Sequence, residues 1–515
     1  MICLFPSPLV NIQPAAMHPF ASTVATPPIA APIALAAGHP TRQGEKMIET
    51  HREFPGKVLI IGFGSIGQGV LPLLLRHFQL KPSQLHIVAA DHEGSEVAAQ
   101  YGIRLSVIEL TEVNYRQVLT PMMDQGDFLV NVSNDVASFS LIELCQRLGA
   151  MYIDTCIEPW AGGYTDTRVS PQARSNYALR EQVLTLRKDF RNGPTSVLTH
   201  GANPGLVSHF VKQALMDLAD AGHQKIYPPS DRAGWAQLAR HLGIRVIQVA
   251  ERDFQQTHSR KQPDEFINTW SVEGFVGEGC QPAELGWGSH EQHFPHDGQR
   301  HPHGCRSAIY LNQPGAATRV RSWTPQAGAY HGFLITHSEA ISIADYLTVG
   351  NGEAPEYRPT VYYAYHPCDD AVLSLHELAG RNWQLQSRVK LVKEEIEHGH
   401  DELGVLLLGH AWGGYWYGSR LDIAEARRLA PHNGATSLQV TSAVVAAMDW
   451  AIRHPNQGIV EPEDLPHDEI IAFCRPYLGE LVGAYTSWNP LQGRGWIFPE
   501  EVDHTDPWQF KNFRV

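Results

Sequence analysis

The sequence predicts an α/β protein, built on a doubly wound parallel sheet with an inserted α+β domain. Three observations predict this class. A short apolar run near residue 60 ends in a glycine-rich turn, strand-like and helix-like segments alternate from there to about residue 200, and the alternation stops beyond about residue 240. Strands that alternate with helices form parallel sheets, because each crossover helix returns the chain to the same edge of the sheet.

The first strand and its turn lie between residues 57 and 75. The run 57–63 (KVLIIGF) is apolar and rich in β-branched residues, which is typical of a buried strand. The segment 70–75 (VLPLLL) fits a helix. A strand, a Gly-x-Gly-x-x-Gly turn and a helix in this order form the phosphate-binding unit of a Rossmann-type sheet.

Each glycine of this turn has a physical task. Gly62 permits the tight turn, Gly64 lets the backbone approach a pyrophosphate, and Gly67 lets the helix pack close to the strand. Backbone N–H groups at the start of the helix, at Ser65 and Ile66, then face the phosphates. These five residues are candidates for dinucleotide binding; the alternative is a glycine turn in a sheet that binds nothing.

An acidic residue follows the second strand. The run 85–90 (LHIVAA) ends at Asp91, 24 residues beyond Gly67, close to the spacing expected for a carboxylate on the adenosine ribose hydroxyls. A carboxylate at this position repels the 2′-phosphate of NADP. The sequence therefore predicts NAD as the cofactor.

The alternation of strands and helices continues toward residue 219. We predict strands at 104–108, 128–131, 151–154 and 196–200, and helices at 113–123, 138–148 and 206–219. In such sheets ligands lie beyond the carboxyl ends of the strands. The polar residues expected there are Asn131, Ser133, Asn134 and Asp135 after strand four, and Asp154, Thr155 and Glu158 after strand five. Small polar residues can also be simple turn formers, so this assignment competes with a structural one.

The change of pattern along the chain predicts four segments. They are a disordered Pro/Ala-rich tail at 1–50, a dinucleotide-binding domain at 51–202, a substrate and dimerisation domain at 203–436, and a segment at 437–515 that packs back on the dinucleotide-binding domain. An Ala/Val-rich helix at 438–452 should begin that return. Met47, just before the first strand, is a second candidate for the start of translation.

Composition excludes several classes of partner. The net charge of −14 argues against general affinity for nucleic acid, which rewards basic patches. No run of about 18 apolar residues is present, so we expect no membrane span. The seven cysteines include no Cys-x-x-Cys pair, which favours reduced thiols and a cytoplasmic location.

Motifs distributed over most of the chain identify a family. From about Lys57 to about Arg494 the sequence closely resembles the bacterial homospermidine synthases, which are relatives of the saccharopine dehydrogenases. The blocks that carry the resemblance are GFGSIG at 62–67, YIDT at 152–155, EPW at 158–160, RSNYALR at 174–180, GANPG at 201–205, NTWSVEGF at 268–275, PAELGWG at 282–288, RVRSWT at 319–324 and YHPC at 365–368.

The resemblance implies a reaction and its cofactor. Two putrescine molecules, or spermidine and putrescine, are joined into homospermidine with release of ammonia. Imine intermediates form, and NAD takes a hydride from one diamine and returns it to the joined product, so it is retained as a prosthetic group. The resemblance also implies a homodimer.

The resemblance assigns roles to four catalytic residues. It implies that His337, in the block THSE at 336–339, is a base with Asn203 as its hydrogen-bonding partner, and that Trp270 and Glu278 hold an ammonium group. If the segment 270–278 is extended, the even spacing places both side chains on one face. The structural alternatives are a buried histidine and a core tryptophan.

The resemblance also implies that Glu158, Glu251 and Asp401 bind the diamine. A cluster of carboxylates suits a dication, since each would otherwise be costly to bury. The competing interpretation of each is a structural ion pair, with Arg252 as the neighbouring rival for Glu251.

Other sites are disfavoured or remain as alternatives. The histidine-rich stretch 289–303 is broken by proline and glycine, so we expect no metal site there. No Gly-x-Ser-x-Gly elbow follows a strand where a serine nucleophile would need one. A reductase of the saccharopine or carboxyspermidine type, which makes a net reduction, and a non-catalytic NAD-sensing protein are the alternative functions.

Overall fold

A computed structural model of the chain describes residues 51–222 and 227–515. The predicted tail 1–50, and with it Met47, lies outside the described residues. Within the described ranges, no helix is both long enough and apolar enough to cross a membrane.

The first part of the fold is the predicted nucleotide-binding unit. Its strands are β1 (Arg52–Glu53), β2 (Val58–Ile61), β3 (Phe78–Gln79), β4 (Leu85–Ala89), β5 (Arg104–Val107), β6 (Phe128–Asn131), β7 (Met151–Asp154) and β8 (Ser196–Val197). Its helices are α1 (Ser65–His77), α2 (Ser95–Gln100), α3 (Tyr115–Leu119), α4 (Ser138–Leu148), α5 (Asn176–Thr185) and α6 (Leu206–Ala221).

Six of these strands belong to a sheet in which every strand pairs in parallel with its neighbours. The spatial order is β8-β7-β6-β2-β4-β5, and apolar strands such as β2 and β6 are buried along their whole length. The fold class predicted from the sequence is confirmed. The predicted helix 113–123 is shorter, because Pro121 lacks the N–H that would continue α3, and a 3-10 turn follows instead.

The middle of the chain forms one large sheet and three two-stranded ones. Its strands are β9 (Val246–Asp253), β10 (Gln256–Thr257), β11 (Glu265–Asn268), β12 (Pro282–Gly286), β13 (Gly298–Arg300), β14 (Ala308–Pro314), β15 (Arg319–Thr324), β16 (Gly328–Phe333), β17 (Val349–Gly350), β18 (Pro355–Tyr357), β19 (Thr360–His366), β20 (Arg388–Leu391), β21 (Ile396–His398), β22 (His400–Leu408) and β23 (Gly414–Asp422). Its helices are α7 (Arg232–Leu242), α8 (Val272–Cys280), α9 (Ser338–Tyr346), α10 (Asp369–Gly380) and α11 (Ile423–Leu429).

The larger of the sheets in this region is mixed and has ten strands. Its centre is β19-β9-β22-β23, in which β9 runs parallel to β19 and antiparallel to β22. Helix α9 packs beside β12 and β19, and helix α8 packs beside β11 and β20. This mixed α+β region agrees with the predicted inserted domain.

The carboxyl-terminal segment is divided between the two sheets. It contains α12 (Ala435–Arg453), β24 (Ile459–Val460), α13 (His467–Cys474), β25 (Glu480–Thr486) and α14 (Phe510–Phe513). Helix α12 packs on α1, and β24 adds a seventh parallel strand beside β8. Strand β25 instead extends the mixed sheet beside β23, and Trp488 and Phe513 pack in the core of that sheet. Only the first half of the predicted segment 437–515 therefore lies on the nucleotide-binding sheet.

Candidate active site

One cavity of about 470 Å³ lies between the two sheets, and it connects the glycine turn with the carboxylates of the mixed sheet. Most of the site residues predicted from the sequence line it: Gly62, Gly64, Ser65, Ile66, Asp91, Ser133, Asn134, Asp135, Thr155, Glu158, Asn203, Glu251, Trp270, Glu278 and His337. The remaining three, Gly67, Asn131 and Asp401, lie outside its wall.

The glycine turn has the steric features that a dinucleotide requires. Gly62 has a φ of +86°, which only glycine adopts without strain. A Cβ atom on Gly64 would meet no protein atom within 4 Å, so this side of the turn is open for a phosphate. The first-turn amides of α1, including those of Ser65 and Ile66, have no carbonyl partner within the helix and can donate to an anion. These residues fit the predicted NAD.

Gly67 has the packing task predicted for it and does not line the cavity. A Cβ atom here would lie 2.6 Å from the carbonyl oxygen of Gly62, so the glycine is needed for close packing of α1 on the turn. Asn131 is likewise a supporting residue: its Oδ1 accepts a hydrogen bond from Ser133 Oγ at 2.6 Å, and its Nδ2 donates to Tyr152. Both residues stabilise the structure around the cavity and do not line it.

The two glycines should therefore respond differently to alanine. We expect Gly64→Ala to change the stability by less than about 0.5 kcal/mol but to weaken retention of NAD at least tenfold. Gly67→Ala should lower the stability by about 1–3 kcal/mol, because the methyl group overlaps backbone. Thermal melts and the NAD content of the purified proteins measure both effects, and unchanged NAD content in Gly64→Ala would contradict the proposed cradle.

The far end of the cavity is acidic. Asp91 accepts a hydrogen bond from the backbone N–H of Glu93, and the cavity is also lined by Glu93 and Glu109. Glu93 forms an ion pair of 3.2 Å with Lys393, next to the cavity-lining Leu391. Three carboxylates at one end disfavour a 2′-phosphate there, which supports NAD over NADP.

His337 lies between two carboxylates at the start of α9. Its Nε2 is 3.1 Å from Glu278 Oε2 and its Nδ1 is 3.1 Å from Glu339 Oε1. Burial lowers the pKa of His337, but the carboxylates of Glu339 and Glu278 outweigh burial and raise it to about 10. The imidazole is therefore a cation that donates from both nitrogens, and in this state it cannot accept a proton.

Asn203 contacts a different group from the one predicted. Its Nδ2 donates to Glu251 Oε2 at 2.9 Å, and both nitrogens of His337 are already occupied by carboxylates. The predicted pairing of Asn203 with His337 is wrong in this structure. The cause is the pair of carboxylates on α8 and α9: a histidine between Glu278 and Glu339 has no ring nitrogen left for an amide.

Glu278 reaches the cavity from a helix, and Trp270 reaches it from the residues just before that helix. The Ser271 hydroxyl accepts a hydrogen bond from the backbone N–H of Gly274 and starts α8 at Val272, so the extended geometry considered for 270–278 is wrong. Glu278 is buried on α8 and faces His337. Trp270 precedes the helix, and its Nε1 donates to the hydroxyl of Tyr365 at 3.1 Å.

A buried acidic cluster lies behind the cavity on the mixed sheet. Asp253 stands opposite Asp401 in the β9–β22 register, and Glu251 is two residues away on the same face of β9. Burial raises the pKa of each of these carboxyls, and repulsion by neighbouring carboxylates adds to the effect at Glu251 and Asp401. Asp401 is fully buried and accepts a hydrogen bond from Thr436, so it acts from behind the wall. Arg252, the expected rival for Glu251, pairs with Asp369 instead.

Glu158 lies on the opposite wall, after β7. Burial raises the pKa of Glu158 to about 8. A hydrogen bond from Tyr164 opposes this shift, and the nearby carboxylate of Glu278 adds to it. Its backbone N–H donates to Ser138 Oγ at 3.0 Å, which fixes the loop at the start of α4. A buried carboxyl in this state gains from the arrival of a cation, because a nearby positive charge favours its ionised form.

Sequence reasoning missed several residues of the site. Tyr363 lines the cavity, Tyr365 holds Trp270, Glu339 holds His337, and Thr436 reaches the cavity from α12. Tyr365 and Glu339 lie in sequence blocks that resemble the family, and this resemblance could have indicated them. Nothing local in the sequence distinguishes Tyr363 or Thr436.

The histidine-rich stretch makes contacts with the carboxyl-terminal tail. His290 Nε2 is 3.1 Å from the carbonyl oxygen of Trp508, and His293 Nε2 is 2.9 Å from Asp503 Oδ2. Among the residues that the structure describes, no group of three or more His, Cys, Asp or Glu side chains is arranged to hold a metal ion.

Comparison with known proteins gives matches over nearly the whole described chain. Residues 58–197 match the family model of the saccharopine dehydrogenase NADP binding domain, and 201–486 match the saccharopine dehydrogenase C-terminal domain. The homospermidine synthase of Blastochloris viridis is 52% identical over 471 residues, which cover 90% of this chain and 98% of that protein. The homospermidine synthase of Mesorhizobium japonicum is 49% identical, with 90% and 97% covered.

A solved structure shows the same similarity in three dimensions. The homospermidine synthase of Legionella pneumophila, solved in complex with NAD, superposes with a TM-score of 0.85 at 49% identity. The match covers 90% of this chain and 99% of that one.

Proposed function

This chain belongs to the homospermidine synthase family, and we propose that it joins two putrescine molecules into homospermidine with release of ammonia. A single observation supports the proposal: one cavity connects the glycine turn to a pocket lined by buried carboxylates and by the half-buried indole of Trp270. NAD, when bound, supplies the acceptor and donor of the hydride. The protein's own side chains bind the diamine, exclude water and move protons.

The carboxylates and Trp270 fit a diammonium substrate. Glu158 and Glu278 line one side of the cavity and Glu251 the other, with Asp401 behind it. The Trp270 ring can hold an ammonium by a cation–π contact, which excludes water better than a further carboxylate would. Spermidine carries the same terminal aminobutyl group, so it is a second candidate donor.

Proton transfer is assigned differently from the sequence-based expectation. His337 holds its proton between Glu278 and Glu339, so it acts as a positive charge and a proton donor to the amine that leaves. The group suited to take a proton from the reacting ammonium is Glu251, since a buried carboxyl with a raised pKa accepts and returns protons near neutral pH.

Binding of putrescine should depend on pH. The free Glu158 carboxyl has its pKa raised to about 8, and a bound cation favours its ionised form, so the KM for putrescine should fall as pH rises from 6 toward 8. Glu158→Gln cannot ionise and should lose this dependence. KM measured at intervals of half a pH unit checks the sign; a KM that rises over this range would contradict it.

The experiment for the proposed function uses a trace of NAD. Purified protein with excess putrescine should form homospermidine and one ammonia per product, detected by mass spectrometry and an ammonia assay, without accumulating NADH. The runner-up function, a saccharopine- or carboxyspermidine-type reductase, would consume NADH or NADPH in proportion to product. No observation in the site favours that reductase. The site presents carboxylate side chains, which bind cations, whereas a substrate with carboxylate groups would need basic side chains.

We also infer that the protein is a homodimer. Trp496, Ile497 and Phe498 form a consecutive apolar stretch that is 86%, 73% and 75% exposed, which is unusual for a surface that contacts only water. Trp496→Glu combined with Phe498→Ser should convert a dimer into a monomer in analytical ultracentrifugation. A wild-type protein that sediments as a monomer at micromolar concentration would contradict the proposal.

A cytoplasmic location is supported by the thiols. The six cysteines among the described residues are all free: Cys145, Cys156, Cys280, Cys305, Cys368 and Cys474. Unpaired thiols persist in a reducing compartment. Recovery of the activity in the cytoplasmic fraction of the cells tests the location.

A further inference from the structure

Two neighbouring tyrosines on β19 have no part in the roles assigned so far. Tyr363 and Tyr365 are two residues apart on one strand, so they face the same side of the mixed sheet. Their rings stack with centroids 5.1 Å apart and an interplanar angle of 16°. Both are buried, and the side they face is the side of the cavity.

Tyr363 joins two of the charged groups of the site. Its hydroxyl donates to Glu251 Oε2 at 2.6 Å, and its ring lies 4.5 Å from the imidazole of His337. Burial and the charge of Glu251 raise the pKa of Tyr363 well above its usual value, so the phenol stays protonated and remains a donor.

Tyr365 holds the indole of the site. Its hydroxyl accepts the hydrogen bond from Trp270 Nε1, and its ring meets Phe275 of α8 edge-on at 5.5 Å. In the β9–β19 register it lies opposite Glu251. The stacked pair therefore links the carboxylate on one wall to the aromatic face on the other.

We propose that Tyr363 and Tyr365 are positioning residues that align the two halves of the diamine pocket, Tyr363 through Glu251 and Tyr365 through Trp270. The proposal rests on the function proposed above and extends it to residues that act through Glu251 and Trp270. Two rigid rings stacked on one strand fix the distance between the group that handles the proton and the face that holds the cation.

The hydrogen bond from Tyr363 has a measurable electrostatic effect. It lowers the pKa of Glu251, whereas burial raises it. The other ionisable groups that face Glu251 are Asp253 on β9, Asp401 on β22, His337 at the start of α9, Tyr330 on β16 and Tyr365 on β19. Asn203 Nδ2 also donates to Glu251 Oε2, at 2.9 Å, and Tyr363→Phe leaves that hydrogen bond in place. Loss of the phenol should therefore raise the pKa of Glu251.

The test for Tyr363 is the pH profile of Tyr363→Phe. The acid limb of kcat/KM for putrescine should move to higher pH by about one unit, the shift expected when a carboxylate loses one charge-assisted hydrogen bond. In the Glu251→Gln background the same change should cause no shift. An unmoved limb in Tyr363→Phe overturns the proposal, and so does a shift of equal size in the Glu251→Gln background.

The test for Tyr365 is a double-mutant cycle with Trp270. Tyr365→Phe should raise the KM for putrescine about threefold, with kcat reduced less than twofold and the pH profile unmoved. Trp270→Phe removes the donating N–H, so adding Tyr365→Phe to it should have no further effect. Full additivity of the two changes overturns the role of Tyr365.

A matched control lies on the same strand. Tyr362 faces the opposite side of β19, where its hydroxyl accepts from Gln248, so Tyr362→Phe should leave KM and the pH profile unchanged while lowering thermal stability. If Tyr362→Phe changes KM and the pH profile as Tyr363→Phe and Tyr365→Phe do, the changes come from a general loss of structure and the proposal fails. Wild-type protein that makes no homospermidine would instead refute the proposed function, which keeps the two failures distinct.

Discussion

Replacing Trp270 with alanine should lower kcat/KM for putrescine by about 30-fold while the protein keeps its NAD. A cation–π contact in a desolvated pocket contributes ~2 kcal/mol, and each 1.4 kcal/mol corresponds to a factor of ten. The indole is half-buried and held by Tyr365, and it lines the cavity opposite the glycine turn. Steady-state kinetics and the NAD content of the purified variant measure the two effects separately.

The control for this change is Trp270→Phe, which keeps an aromatic face but not the N–H. It should retain most of the affinity for putrescine, with a loss of only a few-fold from the missing hydrogen bond to Tyr365. Equal loss of activity and of bound NAD in Trp270→Ala would mean that the indole is structural. A phenylalanine variant as poor as the alanine variant would argue against the cation–π contact.

Glu278→Gln should lower kcat/KM for putrescine at least about 30-fold. Truncating one partner of a buried charge pair costs ~2–5 kcal/mol; because Glu339 still pairs with His337, we take the lower value, which corresponds to that factor. Glu278 also raises the pKa of His337, so the variant should hold the imidazolium less tightly and show a pH optimum shifted downward. The pH profile of kcat/KM measures both consequences.

Glu273 offers a matched control for this prediction. It lies on the same helix and lines the same cavity but is exposed, so Glu273→Gln should change kcat/KM only slightly. An unchanged catalytic efficiency in Glu278→Gln, or an equal loss in Glu273→Gln, would count against the assignment of Glu278.

The nucleotide-binding sheet was predictable because its signals are local. Strands such as β6 and β7 and the helix α4 have the bounds that the hydrophobic pattern indicates, and the Gly62–Gly67 turn stands where the motif places it. The exceptions follow from contacts across the sheet. The seventh strand, β24, is two residues long and comes from far along the chain, so no window around it predicts its partner β8.

Most of the predicted site residues line one cavity, but some of their contacts differ from those predicted. The family resemblance supplied Asn203 and His337 but not the geometry between them, and the structure gives each a carboxylate partner. A hydrogen bond between residues far apart in sequence depends on how two sheets approach each other. The helical rather than extended segment before Glu278 depends on one capping side chain, Ser271, whose effect an even spacing cannot indicate.

The most direct test of internal hydride return uses putrescine with deuterium on both carbons bonded to nitrogen. The protein is supplied with a mixture of this putrescine and unlabelled putrescine, together with excess unlabelled NADH. Return of the hydride within one turnover predicts homospermidine with zero, four or eight deuterium atoms, because each donor recovers the deuterium it gave up. Homospermidine with three or seven deuterium atoms would show that the hydride comes from the added NADH, and would contradict the account.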